Sequence, residues 1–318
     1  MNNQKIFIHD NELPLTDSND IFKKYVQSNP NLDPQYIQIH CGKYNQETRI
    51  WIESLWEKYF PYAEPRFLER IRSSAKGDGF HTFSWQMYLA CVFLDKEYEL
   101  EKNSGTGPDI SILINNRRYW IEAVITTPGN DKQTAGMPQG GDIYQSLDPR
   151  VARISNALTA KFNTYKDKYL NKYCQLNEPF IVAINGTNTK TMSGSRAIEA
   201  VVFARGNDVL KQTSTGSLEG GFYELRESVK IQKVDKKVEL PTKYFCDDTY
   251  KEISGVIYCE MHIINANNFG RTPEGNLYLA INGYATNQLE SFNIGNVISR
   301  GENGGILRRE INNPYLKL

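Results

Sequence analysis

From Gln46 to Tyr59 the apolar residues Ile50, Trp51, Leu55 and Tyr59 recur at the spacing of one helix face, and Pro61 ends the run. A second helix is expected after Pro65, with Phe67, Leu68 and Ile71 turned inward. Residues 84–95 are nearly all apolar and rich in helix formers, which predicts a helix buried on most sides. The period then changes. Ile110, Ile112 and Ile114 fall on every second position, and Tyr119 to Ile125 is an aromatic and β-branched run, so two strands are predicted. Helical spacing returns over residues 150–172, where Val151, Ile154, Leu158, Phe162, Tyr165 and Tyr169 form an apolar stripe. Phe180 to Ile184 then reads as a short buried strand ended by Asn185-Gly186.

The remaining stretches carry weaker patterns. Residues 1–45 hold Asn, Asp and Pro clusters and are expected to form an irregular arm with one short helix. Residues 128–149 show no periodicity and read as a long loop, a feature that in compact domains usually serves function. Beyond Ser193 we expect a short helix or strand at 197–204, strands at 221–232, 255–264 and 277–281, and a Gly/Asn-rich tail. Strand, strand, loop, helix, strand is the order of a mixed sheet with a crossover helix, an α/β class. No repeat or linker is visible, so the expected organisation is the arm followed by one elaborated domain over 46–318.

Composition adds limits more than identity. With 318 residues, 40% apolar and 23% charged, the chain can bury a sizeable core. No run approaches the ~20 apolar residues of a membrane span, so no membrane partner is expected. Met1 to Phe7 lacks the apolar core of a secretory signal, and a cytoplasmic location follows, with signal-less export left open. Five scattered cysteines without a C-x-x-C pair suggest buried free thiols in a reducing compartment. Lys plus Arg equals Asp plus Glu at 37 each, so any contact with phosphates must come from a local basic surface. No phosphate-binding Gly loop, dinucleotide fingerprint or Ser-hydrolase elbow occurs, and the four histidines show no H-x-x-x-H spacing.

Chemistry concentrates at the strand pair. Asn115-Asn116 suits a two-residue hairpin turn, because Asn tolerates the positive φ that primed turns need. A hairpin centred there sets Asp109 directly across from Glu122 on one sheet face, with Cβ atoms about 5 Å apart. Two carboxylates so placed can share a divalent cation, with the backbone carbonyl of Ala123 as a further ligand. Like charges opposed on a sheet are otherwise destabilising. The plain alternative is two strand-end carboxylates flanking a turn by accident.

Gly107-Pro108-Asp109, followed thirteen positions on by Glu122-Ala123-Val124 and preceded by the buried helix, resembles the core of PD-(D/E)xK nucleases over roughly residues 80–186. Phe245 to Asp248 and Ile253 to Ile257 look like strands of uncharacterised bacterial relatives of restriction endonucleases. The resemblance implies a restriction-endonuclease-like α/β core, a mixed central sheet flanked by helices, with extra N-terminal helices and C-terminal strands. It implies Mg²⁺ or Mn²⁺ at Asp109 and Glu122, and hydrolysis of phosphodiesters in DNA, with RNA as a second substrate. A homodimer is compatible with it.

The family's lysine, two residues after the Glu, is Val124 here. Lys161 is the candidate to supply the missing positive group; its plain reading is a lysine snorkelling to solvent. Gln86 aligns with Ala90 and Phe93, where related nucleases often carry an acid; a buried amide satisfied by backbone is the plain reading. Glu69 is a further upstream acid, or an ordinary solvated one. Arg150, Arg153, Lys161 and Lys190 would form a phosphate-facing surface, or a solvated helix face. Val124 supports a competing expectation, a catalytically degenerate nuclease fold acting as a nucleic-acid or protein-binding module or an effector.

Overall fold

The computed structural model describes residues 5–7, 16, 18–42, 45–73, 79–126, 147–187, 194–212, 214, 216–232, 237–260, 262, 275, 277–301 and 304–309. The chain divides into two compact units: Met1–Ile125 with Met261–Pro273, and Thr126–Glu260 with Glu274–Leu318. It is mixed α/β. Among the described residues no helix is long and apolar enough to cross a membrane.

In the first unit, β1 (Glu99–Leu100), β2 (Ile110–Ile114) and β3 (Arg117–Ile125) form an antiparallel sheet in that order. The β2–β3 hairpin turns on Asn115 and Asn116, whose φ angles of 52° and 61° are both left-handed, as the two-residue turn requires. The register is the expected one, with Ile110 opposite Ile121 and Ile112 opposite Tyr119. Side chains alternate between faces, so Ile110, Ile112, Ile114, Tyr119, Ile121, Ala123 and Ile125 line one buried face. Helix α5 (Gly79–Asp95) packs against this sheet and against α3 (Gln46–Tyr59) and α4 (Phe67–Arg72). Contacts on several sides explain why α5 can be apolar nearly all round, with Trp85, Tyr88, Phe80 and Phe93 buried. Full burial of such a side chain contributes about 1.5–3 kcal/mol.

The first 45 residues depart from expectation. Their described residues include two helices, α1 (Asn19–Ser28) and α2 (Pro34–Cys41), where one was expected. The polar clusters that suggested irregular chain are cap chemistry. Ser18 accepts from the Ile21 N–H, and Asp33 Oδ1 accepts from Gln35 and Tyr36, with Pro34 in the first turn of α2. The same Asp33 takes the Phe80 N–H on its other oxygen at 3.2 Å, and Ile6 and Phe7 are buried with their N–H groups on Glu53.

In the second unit, β4 (Phe180–Asn185), β9 (Gly255–Cys259), β10 (Tyr278–Ile281), β11 (Asn296–Arg300) and β12 (Ile306–Arg309) make a mixed sheet in that order. β4 and β9 are parallel and fully buried; β9–β10 is antiparallel, β10–β11 parallel and β11–β12 antiparallel. Helix α6 (Asp148–Thr164) packs on β4 and runs into a π-helical turn over Tyr165–Tyr169. Residues 196–202 form helix α7 (Arg196–Val202), which packs on α6.

Two expectations are corrected here. The single strand expected at 221–232 is two, β6 (Leu218–Leu225) and β7 (Ser228–Gln232), each in its own antiparallel ribbon. Their partners carry weak patterns: β5 (Arg205–Gln212) is mostly polar, and in β8 (Lys237–Pro241) only Val238 and Leu240 alternate. Finally, β11 and β12 lie in the stretch expected to be a tail.

Candidate metal centre

Gly107 (φ 82°) supplies a turn that other residues rarely adopt, and Pro108 fixes the backbone just ahead of Asp109. The paired residues end at Ile110–Ile121; the same register continued by one residue would set Asp109, just ahead of β2, across from Glu122. Residues so opposed share a face with Cβ atoms about 4.5–5.5 Å apart. Glu122 is 3% exposed, and Asp109 is half-buried. One carboxylate oxygen of Asp109 accepts the Ala123 N–H at 2.8 Å, which fixes the side chain against β3.

The Asp109 backbone is held as well. Its carbonyl accepts from Gln86 Nε2 at 3.1 Å and from Asn103 Nδ2 at 2.6 Å. Gln86 also donates to the Tyr59 hydroxyl at 3.0 Å, and burial keeps that phenol protonated by pushing its pKa well above the usual tyrosine value. Gln86 is therefore a buried amide satisfied by its neighbours. Asn103 was not anticipated, although an Asn ahead of Ser-Gly-Thr-Gly is a recognisable turn signal.

Period-two alternation puts Arg118, Trp120 and Val124 on the Glu122 face. Arg118 donates to both oxygens of Glu101 at 2.6 and 2.7 Å, and its guanidinium lies 5.5 Å from the Trp120 ring centre. The bond from Arg118, together with one from Ser111, holds the Glu101 carboxyl below its usual pKa against the opposing effect of burial. Val124 is half-buried.

The other candidates fall elsewhere. Glu69 stands on the exposed side of α4 and pairs with Arg66 at 2.9 and 2.7 Å, an ordinary surface ion pair. Arg150, Arg153 and Lys161 lie on α6, in the second unit. The expectation that Arg150 faces phosphate is corrected: the residue is 4% exposed, and its Nη1 donates to Glu260 Oε1 at 2.5 Å. Tyr258 donates to the same oxygen at 2.9 Å, and the Gly194 N–H takes the other, also at 2.9 Å. Arg153 and Lys161 are half-buried. Lys190 and residues 128–146 of the expected loop lie outside the described residues, while Asp148 and Pro149 already belong to α6.

Two opposed carboxylates are few for a closed metal cage, and no group of three His, Cys, Asp or Glu side chains fit to hold a metal occurs among the described residues. That donor set disfavours a structural zinc site, which takes four protein ligands. It fits Mg²⁺ or Mn²⁺, which are held by one or two carboxylates and complete their shell with water and substrate phosphate. No family model, curated protein or solved structure matches the chain.

Proposed function

We propose that this protein is a Mg²⁺- or Mn²⁺-dependent phosphodiesterase acting on DNA, with RNA as the second candidate substrate. What supports the reading is the hairpin register, which continued one residue past Ile110–Ile121 brings buried Glu122 opposite Asp109. Asp109 and Glu122 would hold the cation. When bound, the cation supplies the positive charge that offsets their repulsion and stabilises charge developing on a phosphate. The Ala123 N–H orients Asp109, and Val124 leaves the position of the family's lysine without a positive group.

Val124 also favours a second reading. A nuclease fold without its lysine can persist as a nucleic-acid or protein-binding module. The two readings separate in one assay. Plasmid and single-stranded DNA are incubated with Mg²⁺ or Mn²⁺, using Asp109→Ala as the contamination control and melting curves on the same samples. The enzyme reading expects cleavage by the wild type that Asp109→Ala abolishes, and a metal-induced rise in Tm that is lost with it. Metal at one hundred times its Kd contributes about 2.7 kcal/mol. Cleavage equal in both proteins, or a Tm indifferent to millimolar metal, defeats the enzyme reading. A binding module would hold DNA without cutting it.

A further inference from the structure

We infer that Asn103, acting with Gln86, is a positioning residue for Asp109: the two amides lock the aspartate backbone so that its carboxylate is presented to a cation shared with Glu122. This inference rests on the metal site proposed above. A carbonyl is satisfied against burial by one hydrogen bond. The Asp109 carbonyl accepts two, both from side-chain amides, so both lone-pair directions are fixed.

Each donor is itself anchored. Asn103 accepts the Gly105 N–H on Oδ1 at 2.7 Å, while its own N–H donates to the Tyr62 carbonyl at 2.9 Å. Gln86 is 3% exposed on α5 and tied to Tyr59. The peptide plane after Asp109 is thus held from the loop on one side and the helix on the other. That plane sets the direction of the Asp109 side chain, whose carboxylate is then steadied by Ala123. Partners behind a ligand commonly change metal affinity 10–100-fold when removed, because they set the ligand's orientation.

The test measures Mn²⁺ binding to the full chain by electron paramagnetic resonance, alongside metal-free melting, for wild type, Asn103→Ala, Asp109→Asn and the double variant. We expect Asn103→Ala to raise the Kd about tenfold or more. In the Asp109→Asn background it should change the Kd less than about twofold, because the ligand it orients is gone. Its effect on metal-free Tm should be the same in both backgrounds, which a merely structural role would also give. An unchanged Kd in Asn103→Ala, or an equal change in both backgrounds, overturns the inference. Should Asn103→Ala fail to fold, Gln86→Leu applies the same test from the helix side. Wild-type binding that Asp109→Asn leaves untouched sinks the metal site and the inference together. Binding that needs Asp109 but ignores Asn103 and Gln86 sinks the inference alone.

Discussion

Both units match a buried glutamate with arginine, Glu64 with Arg70 in the first, but they differ in the rest of their buried carboxylates. In the second, Glu199 is fully buried on α7 and meets two guanidinium groups, Arg308 through both nitrogens at 2.6 Å and Arg205 on the same side chain. Glu260 is likewise matched by Arg150. In the first, the hairpin register carried one residue past Ile110–Ile121 brings buried Glu122 level with Asp109. Arginine pairing neutralises a charge permanently and serves the fold. Two carboxylates on one sheet face gather negative charge in one place, which a cation can use. On the proposed reading, the contrast separates carboxylates that hold structure from carboxylates placed for chemistry, and it can be attacked directly.

The largest effect is expected at Glu199. Burial pushes its carboxyl pKa up, but the bonds from Arg308, Ser195 and Arg205 outweigh burial, and the net shift is downward. Glu199→Leu leaves Arg205, whose side chain is only 14% exposed, facing an apolar group. Breaking one side of a buried pair costs about 3–5 kcal/mol. Asp208, which also bonds Arg205 at 2.7 Å, should hold the loss near the lower end. Urea denaturation monitored by circular dichroism measures it. A loss under about 1 kcal/mol would mean that these carboxylates are not structural charges.

The next effect uses acid to probe the first unit. Burial drives the pKa of His81 down to about 3, with His262 adding to it, and burial lowers His262 to about 4. The rings stack at 4.2 Å, and neither nitrogen of His81 meets a hydrogen-bond partner among the described residues. Both folded values lie below the unfolded value of about 6.5, so the unfolded chain binds more protons. Stability is complete above about pH 6.5 and falls as pH drops toward the folded values, by about 1.4 kcal/mol per unit for each histidine. Glu199, with its lowered pKa, contributes stability that is lost only below its unfolded value, about 4.5. Between pH 6 and 5 the histidine pair therefore dominates this contrast. His81→Phe keeps a ring in the stack and should flatten the slope of unfolding free energy against pH in that window; an unchanged slope would remove the pair from the account.

What the sequence made legible was local. The hairpin and its register could be read because Asn-Asn and two-residue alternation act within a few residues of each other. Helix α5 announced itself by composition alone. Arg150 was misjudged although its position held the answer: it lies four residues before Ile154 and eight before Leu158, on the buried stripe itself. Its charge was weighed above its phase, and its partner Glu260, 110 residues on, has no local signature. The Asn103–Asp109 contact was hidden for a different reason. An asparagine before glycines predicts a turn, but not which carbonyl its amide will find. The short strands β11 and β12 escaped because so few of their residues are buried, leaving no alternation to see.

The smallest effect is also the one that most directly divides the two regions. Directly opposed like charges on a sheet cost up to about 1 kcal/mol, so Glu122→Gln should stabilise the metal-free chain by that order. The same change of type at Glu199 weakens its bonds to arginine, so the two substitutions should have opposite signs. Asp109→Asn relieves the same repulsion, but it also weakens the bond from Ala123, and the net change should be near zero. Adding Mg²⁺ ought to reverse the ranking at position 122, since the wild type gains binding energy that the glutamine variant forgoes. Melting curves in EDTA and in millimolar Mg²⁺ would therefore cross. A Glu122→Gln chain less stable than wild type in EDTA would make Glu122 a structural acceptor of the same kind as Glu199, and the contrast between the regions would be lost.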